Sequence, residues 1–484
     1  MKNTNLIPRH SLMRCIFTTG ALGCLLCAFL VVTPGCSKSA RETPSIKVGL
    51  GETIITPFGN FQMSGFARSQ VSTGVHDDLH ARCLVLEDKA GNTAVLMSIS
   101  VSGLNDEFAA CIREGISAKT IIPGENIVIS CTHTHAGPAI GRDNSTTSLE
   151  YRAFLIEKCV ESAVNAWNTR TPGKIGIEAT EVFELGRNRR ALGYGGIHPD
   201  PRVAVIKIQD RRDRLIGVAF NYGCHPSGLD WMNTEFSEDW PYYAIRGIKK
   251  GVGENVWVAF FQGAEGNINV GYTAELSAVG AQMPIRSHWY IEKKGIQMAE
   301  VVLKVLPDIK TSGECMVKTA YDLFDYPMRE SYPVTLEQAE KDARAAQEKL
   351  AAMEKIDGYK GTRSLDKVRV EVFSANQRLN AANRFYAPGR SLTRKNEQQA
   401  VRIGDAVFVT YTGGLFSEIG LEVKKRSPLE KTFIIGECAG RGGYLPMAKD
   451  FIDGDYEVDG TPYSPKAEDT YISTALELIG RVIK

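Results

Sequence analysis

The sequence predicts an α/β protein with mixed β-sheets flanked by helices and an inserted helical hairpin, and three observations lead there. Short apolar runs rich in Val, Ile and Phe, such as those at 127–131, 216–222 and 256–261, alternate with longer stretches of helical period. The turn Asp88-Lys89-Ala90-Gly91-Asn92 joins the runs 81–87 and 93–98 as a hairpin, whereas other runs are separated by helices, so strand directions are mixed. Residues 335–385 are rich in Ala, Glu and Lys and open with Thr335-Leu336-Glu337-Gln338, a capping box, so they read as two helices laid on the main domain and not as a functional module.

Taken in order, the alternation starts at Lys47 and runs through the 81–87/93–98 hairpin. It continues with a helix at 106–118, the 127–131 strand and an amphipathic helix at 149–167. Strands follow at 174–184, 203–210 and 215–222, then a helix at 237–250, a buried strand at 256–261 and a helix at 288–305. Beyond the two inserted helices (335–353 and 364–383), 397–411 gives two strands, 418–426 a helix, 432–436 a strand and 469–483 the last helix. A single domain over 46–484 is expected.

With 43% hydrophobic and 23% charged residues over 484 positions, the chain can bury a large core. A net charge of +1 with scattered Lys and Arg gives no footprint for nucleic acid, so a small-molecule partner is expected. Lys2, Arg9 and Arg14 precede an apolar run, 15–32, that ends in Thr33-Pro34-Gly35-Cys36, the order of a secretory signal over 1–36. Lipidation at Cys36, cleavage, and retention as a membrane anchor all remain open, and all three place the body in the envelope, the periplasm or outside the cell. Seven of the 11 cysteines lie beyond that segment; an odd number without close pairs is neither a disulfide framework nor a cysteine zinc ribbon.

Two histidine motifs stand at strand ends. Thr132-His133-Thr134-His135-Ala136-Gly137-Pro138 follows one apolar strand, and strand alternation would point both imidazoles the same way. Cys224-His225-Pro226 follows another. Neutral imidazoles converging on one point suit a borderline cation such as zinc, with further ligands from elsewhere. A lone His-x-His pair is as readily a packed structural pair. A third element, Gln262-Gly263-Ala264-Glu265-Gly266-Asn267-Ile268-Asn269, is a strand leading into a glycine-spaced loop where backbone can approach a ligand, and Gly442-Gly443-Tyr444-Leu445-Pro446 with Tyr456-Glu457 forms a fourth.

In their order these motifs, with His76-Asp77-Asp78-Leu79-His80-Ala81-Arg82, Asn188-Arg189-Arg190 and Ser237-Glu238-Asp239-Trp240-Pro241, resemble the neutral/alkaline non-lysosomal ceramidases over most of 46–484. The resemblance implies a zinc amidohydrolase. It implies zinc ligands His133, His225 and Tyr444, proton transfer by His135, and contacts to the reacting amide from Arg189 and Tyr456. Three departures accompany it. Gly414 stands where the family carries a zinc-binding glutamate, with Glu418 one helical turn on as the expected substitute. Asn269 takes the place of a serine and is expected to touch substrate. The β-sandwich domain that follows in full-length ceramidases is absent from the sequence. The expected activity is hydrolysis of an N-acyl lipid amide such as ceramide, or of a related small amide. The alternative is a catalytically silent envelope protein that binds a ligand without turnover.

Overall fold

The computed structural model describes residues 45–66, 71–140, 146–190, 196–271, 286–356, 358, 363–440 and 442–484. The segment 1–36, with its expected signal and Cys36, lies outside the described residues. Among these residues no helix is long and apolar enough to cross a membrane.

Two sheets carry the fold. The larger runs in the order Trp257–Gln262, Leu215–Tyr222, Arg202–Asp210, Thr171–Glu181, Lys47–Ile54, His80–Glu87, Thr93–Ile99, Ile127–Cys131. The smaller runs Val317–Pro327, Thr393–Ile403, Ala406–Thr410, Lys431–Ile435. Leu84, Leu96, Val128, Ile177 and Ile206 from the first sheet share one buried cluster with Val317, Val401, Phe408 and Phe433 from the second, so the sheets pack face to face. Helices Asp106–Lys119, Thr146–Thr169, Trp240–Val252 and His288–Val305 cover the outer face of the larger sheet. Ser417–Arg426 and Ala467–Ile483 cover that of the smaller. The result is four layers, helix, sheet, sheet, helix. Strands buried on both faces explain the continuous apolar runs: all of Ile127–Cys131 and Trp257–Gln262 is buried.

Direction within the sheets decides where chemistry can sit. Most neighbours are antiparallel, but three pairs are parallel: Thr93–Ile99 with Ile127–Cys131, Leu215–Tyr222 with Trp257–Gln262, and Ala406–Thr410 with Lys431–Ile435. A parallel pair presents two carboxyl-terminal ends side by side, the position where loops collect ligands in open α/β sheets. The loops leaving these three pairs build the site described below.

The expected fold class and its helical hairpin are present, Leu336–Glu354 packing on Arg363–Phe385. Thr335 accepts from the Gln338 N–H at 3.2 Å, as the capping box requires. Several boundaries move. The strand read at 174–184 is Thr171–Glu181, and the helix read from 237 begins at Trp240, because Asp239 caps it from a positive φ of 63°. The strand Val317–Pro327 was not anticipated; its mostly half-exposed side chains (VKTAYDLFDYP) blur the two-residue period.

Candidate metal centre

Backbone twist, and not strand alternation, brings the first two imidazoles together. The Ile127–Cys131 strand ends before His133, which adopts φ 68°, a left-handed conformation uncommon outside glycine. The turn is held by Thr132 N–H to Ile99 O (2.8 Å), His133 N–H to Val101 O (3.0 Å) and His135 N–H to Pro226 O (3.0 Å). That last bond joins the two histidine loops directly. Gln262, fully buried, joins them again: its amide nitrogen donates to Thr132 O (2.9 Å) and Cys224 O (3.2 Å), and its oxygen accepts from Cys224 N–H (3.1 Å).

The three imidazoles of His133, His135 and His225 offer nitrogens that all lie within 4.8 Å of one another. Ring centroids are 4.8 Å apart for His133 and His225, 5.2 Å for His133 and His135, and 5.7 Å for His135 and His225. Tautomers follow from the partners. His225 Nδ1 faces two carbonyls, Ile268 O at 2.8 Å and Glu265 O at 3.0 Å; carbonyls only accept, so Nδ1 carries the proton. Its Nε2 is then a bare lone pair, buried and without a partner. Burial, reinforced by Arg189 and the other two histidines, pushes the His225 pKa well below the usual imidazole range, so the ring is neutral. His133 Nδ1 likewise donates to Ser102 O (2.6 Å), with Glu437 Oε2 3.2 Å away. A carbonyl or carboxylate behind the distal nitrogen is the usual means of aiming the other nitrogen at a cation. The neutral His225 ring, its Nε2 free of a proton and beside two further imidazoles, fits a divalent ion.

Two carboxylates lie under this cluster. Glu437 ends the Lys431–Ile435 strand with φ 47°, mirroring His133, and accepts no proton readily: although burial opposes its charge, the His133 ring beside it holds its pKa down. Glu265 behaves oppositely, its pKa driven well up by burial and then by the Glu437 charge. The raised acid faces the Glu437 carboxylate, and a hydrogen bond between the two side chains reinforces both shifts. Such a buried acid is costly unless something pairs with it.

His133, His135, Tyr444, Tyr456 and Glu437 line one cavity of about 650 Å³, with Gly413 and Gly414 in its wall. Phe373 of the inserted hairpin also lines it and stacks on Tyr456 at 5.6 Å, so the hairpin, expected to be a bystander, shapes the site.

The remaining expected residues are placed differently. Glu418 is not available as a ligand in place of Gly414: its two oxygens accept from Asn188 Nδ2 (3.0 Å) and Asn267 Nδ2 (2.6 Å), tying two loops together outside the cavity lining. Asn269 is fully buried, and its Oδ1 accepts from Gly271 N–H (2.8 Å), which shapes a turn behind His225 and not the cavity wall. Arg189 is buried behind Tyr444. It donates to Glu457 Oε1 (2.7 Å), Gly266 O (2.7 Å) and Tyr444 Oη (3.1 Å), and so meets the cavity only through the tyrosine hydroxyl. Away from the cavity, His198 is a satisfied core residue, bonded at Nε2 to Gly223 O and at Nδ1 by Asp200 N–H.

Gly414 is a glycine because nothing else fits. A Cβ there would meet Tyr444 ring carbons at 2.7 and 2.8 Å and Glu265 Oε1 at 3.4 Å, so the tyrosine ring and the Glu265 carboxyl occupy the space a longer side chain would need. Gly266 is equally constrained, its Cβ position 2.5 Å from Gly414 O. Gln262 and Glu265 were read only as parts of a loop where backbone approaches a ligand, and Glu437 escaped the sequence reading. The signal was present, since Ile434-Ile435-Gly436-Glu437 has the same strand-then-polar form as the histidine motifs.

The fold and site thus define an α/β protein with a histidine-rich candidate metal centre at the carboxyl ends of parallel strands. Residues 46–259 match the family described as neutral/alkaline non-lysosomal ceramidase, N-terminal. Over those residues the chain is similar to that family. It is 28% identical over 231 residues to a neutral ceramidase of Oryza sativa subsp. japonica, covering 43% of this chain and 29% of the relative. It is 26% identical over 255 residues to a neutral ceramidase of Pseudomonas aeruginosa, covering 48% and 37%. These alignments span well under half of the relatives' length. In structure it superimposes on the crystal structure of the Pseudomonas aeruginosa neutral ceramidase with a TM-score of 0.68, at 17% identity, over 90% of this chain and 75% of that one.

Proposed function

We propose that the chain is a metal-dependent amide hydrolase that cleaves an N-acyl lipid of the ceramide type, with zinc as its ion. The observation that carries this reading is the His225 Nε2 atom, proton-free, buried and unpartnered, facing two further imidazoles. His133, His225 and Tyr444 would hold the ion. Glu265 would take the carboxylate position that Gly414 leaves, since its carboxyl reaches the space a longer residue would fill. A zinc ion supplies Lewis acidity toward the amide carbonyl and toward water. His135 stands beside the pair and can pass a proton to the departing amine. Arg189 fixes the Tyr444 hydroxyl, and Tyr456, stacked on Phe373, can orient the carbonyl from the cavity wall.

The test is metal content together with turnover of a short-chain N-acylsphingosine. About one zinc per chain, lost in the His133→Ala, His225→Ala double variant along with fatty-acid release, is the expected outcome. Wild-type protein that retains no divalent metal would overturn the reading. Metal bound without release of any acid would leave the silent ligand-binder.

A further inference from the structure

A second cavity, of about 270 Å³, opens at the root of the helical hairpin. It adjoins the far end of the helix Tyr456–Gly460, whose first residue lines the catalytic cavity. Its walls are apolar, from Tyr332 and Phe385 among others, yet four arginines line it: Arg329, Arg384, Arg390 and Arg394. Among the described residues none of the four has a carboxylate within ion-pair distance; Arg329 is buried, Arg390 and Arg394 are half-buried, and Arg384 stands exposed at the rim.

Part of this charge is explained by architecture. Arg329 donates to Thr461 O and Val458 O, and Arg390 donates to Arg329 O (2.9 Å) while stacking on Phe385 at 4.1 Å, so both pin backbone and rings. Arg384 and Arg394 are not spent in this way: among the described residues the Arg384 side chain makes one long bond, to Gly460 O at 3.3 Å, and no bond pins the Arg394 side chain. Burial holds the pKa values of Arg329 and Arg384 below the ordinary guanidinium range, and Arg394 adds to the effect at Arg384. Like charges gathered around an apolar-walled pocket repel one another, and an anion drawn between them relieves that repulsion.

We infer that this cavity is a binding site for an oxyanion, its head group held by Arg384 and Arg394 and any short apolar body lying against Tyr332 and Phe385. Arginine forks match carboxylate and phosphate oxygens in pairs, and a volume at the lower end of ligand pockets limits the occupant to a small molecule. The inference is independent of the metal centre.

Calorimetric titration of the full chain, stripped of metal by chelation, with octanoate and separately with inorganic phosphate tests it. Saturable binding at one site, weakened about tenfold or more in Arg384→Gln, Arg394→Gln and unchanged in His133→Ala, His225→Ala, is expected. Octanoate saturating identifies an organic carboxylate as the occupant; phosphate alone saturating identifies a free inorganic ion. Binding that is undiminished in the arginine variant, or no saturation by either probe at millimolar concentration, overturns the site. Should the double variant fail to fold, Arg394→Lys keeps the charge but not the fork, and weaker binding with an unchanged melting temperature gives the same answer.

Discussion

Two segments of the molecule that meet at the candidate metal centre were written in different ways. Residues 46–259, which the family model matches, deliver His133, His135 and His225 on loops tied to each other by backbone bonds and by Gln262. The segment after residue 400 delivers Gly414, Glu437, Tyr444 and Tyr456 from a separate sheet. In the first segment the chemistry is local to a motif and could be read from it. In the second it is not: where the resemblance places an acid at 414, the acid beside that space is Glu265, from a loop between the two segments.

The comparison breaks most severely if both anchoring imidazoles are removed. His133→Ala with His225→Ala should drop amide turnover at least about a thousandfold, measured as acid release under saturating substrate. Intact turnover would place the chemistry elsewhere. Next, Glu265→Gln should weaken zinc affinity by about tenfold to a hundredfold, read by competition with a chromogenic chelator, whereas Glu418→Gln should leave it unchanged. The reverse pattern would return the ligand role to Glu418. Gly414→Glu sharpens the point from the other side. Instead of restoring a ligand it should destabilise the fold by about 1–3 kcal/mol in urea titration, because the tyrosine ring must move. The smallest effect is one of pH, away from the metal. Burial depresses the folded-state pKa of His198 from 6.5 to about 4, so its contribution to stability is fully present above pH 6.5 and is lost as pH falls through about 4. Melting temperatures from pH 7 to 4 should fall in the wild type, and His198→Gln should flatten that slope; an identical slope would assign the acid sensitivity to other groups.

What could be read in advance tracks the range of the interactions. Apolar strands, the hairpin and its Thr335 cap depend on neighbours within a few residues, and they were legible. The pairing of His133 with His225 was legible because both follow strands of the same form. The conformation that brings His133 and His135 together was not, since φ 68° at a histidine is imposed by carbonyls at Ile99, Val101 and Pro226 and leaves no local trace. Glu418 looked suitable by spacing alone, but the amides of Asn188 and Asn267 reach it from loops more than a hundred residues away. The strand Val317–Pro327 was missed for a simpler reason: half-exposed side chains alternate too weakly to announce a sheet.

Phe373 carries a consequence for how such a protein changes over time. The floor of the catalytic cavity is made of loops whose glycines touch foreign backbone, so almost any substitution there is punished. The wall that Phe373 adds comes instead from a helix with much of its surface in water, free to vary. On the proposed reading, selectivity for an acyl portion can be retuned on the inserted hairpin without disturbing the histidine cluster, and exchanging residues 363–385 between relatives is the way to engineer it.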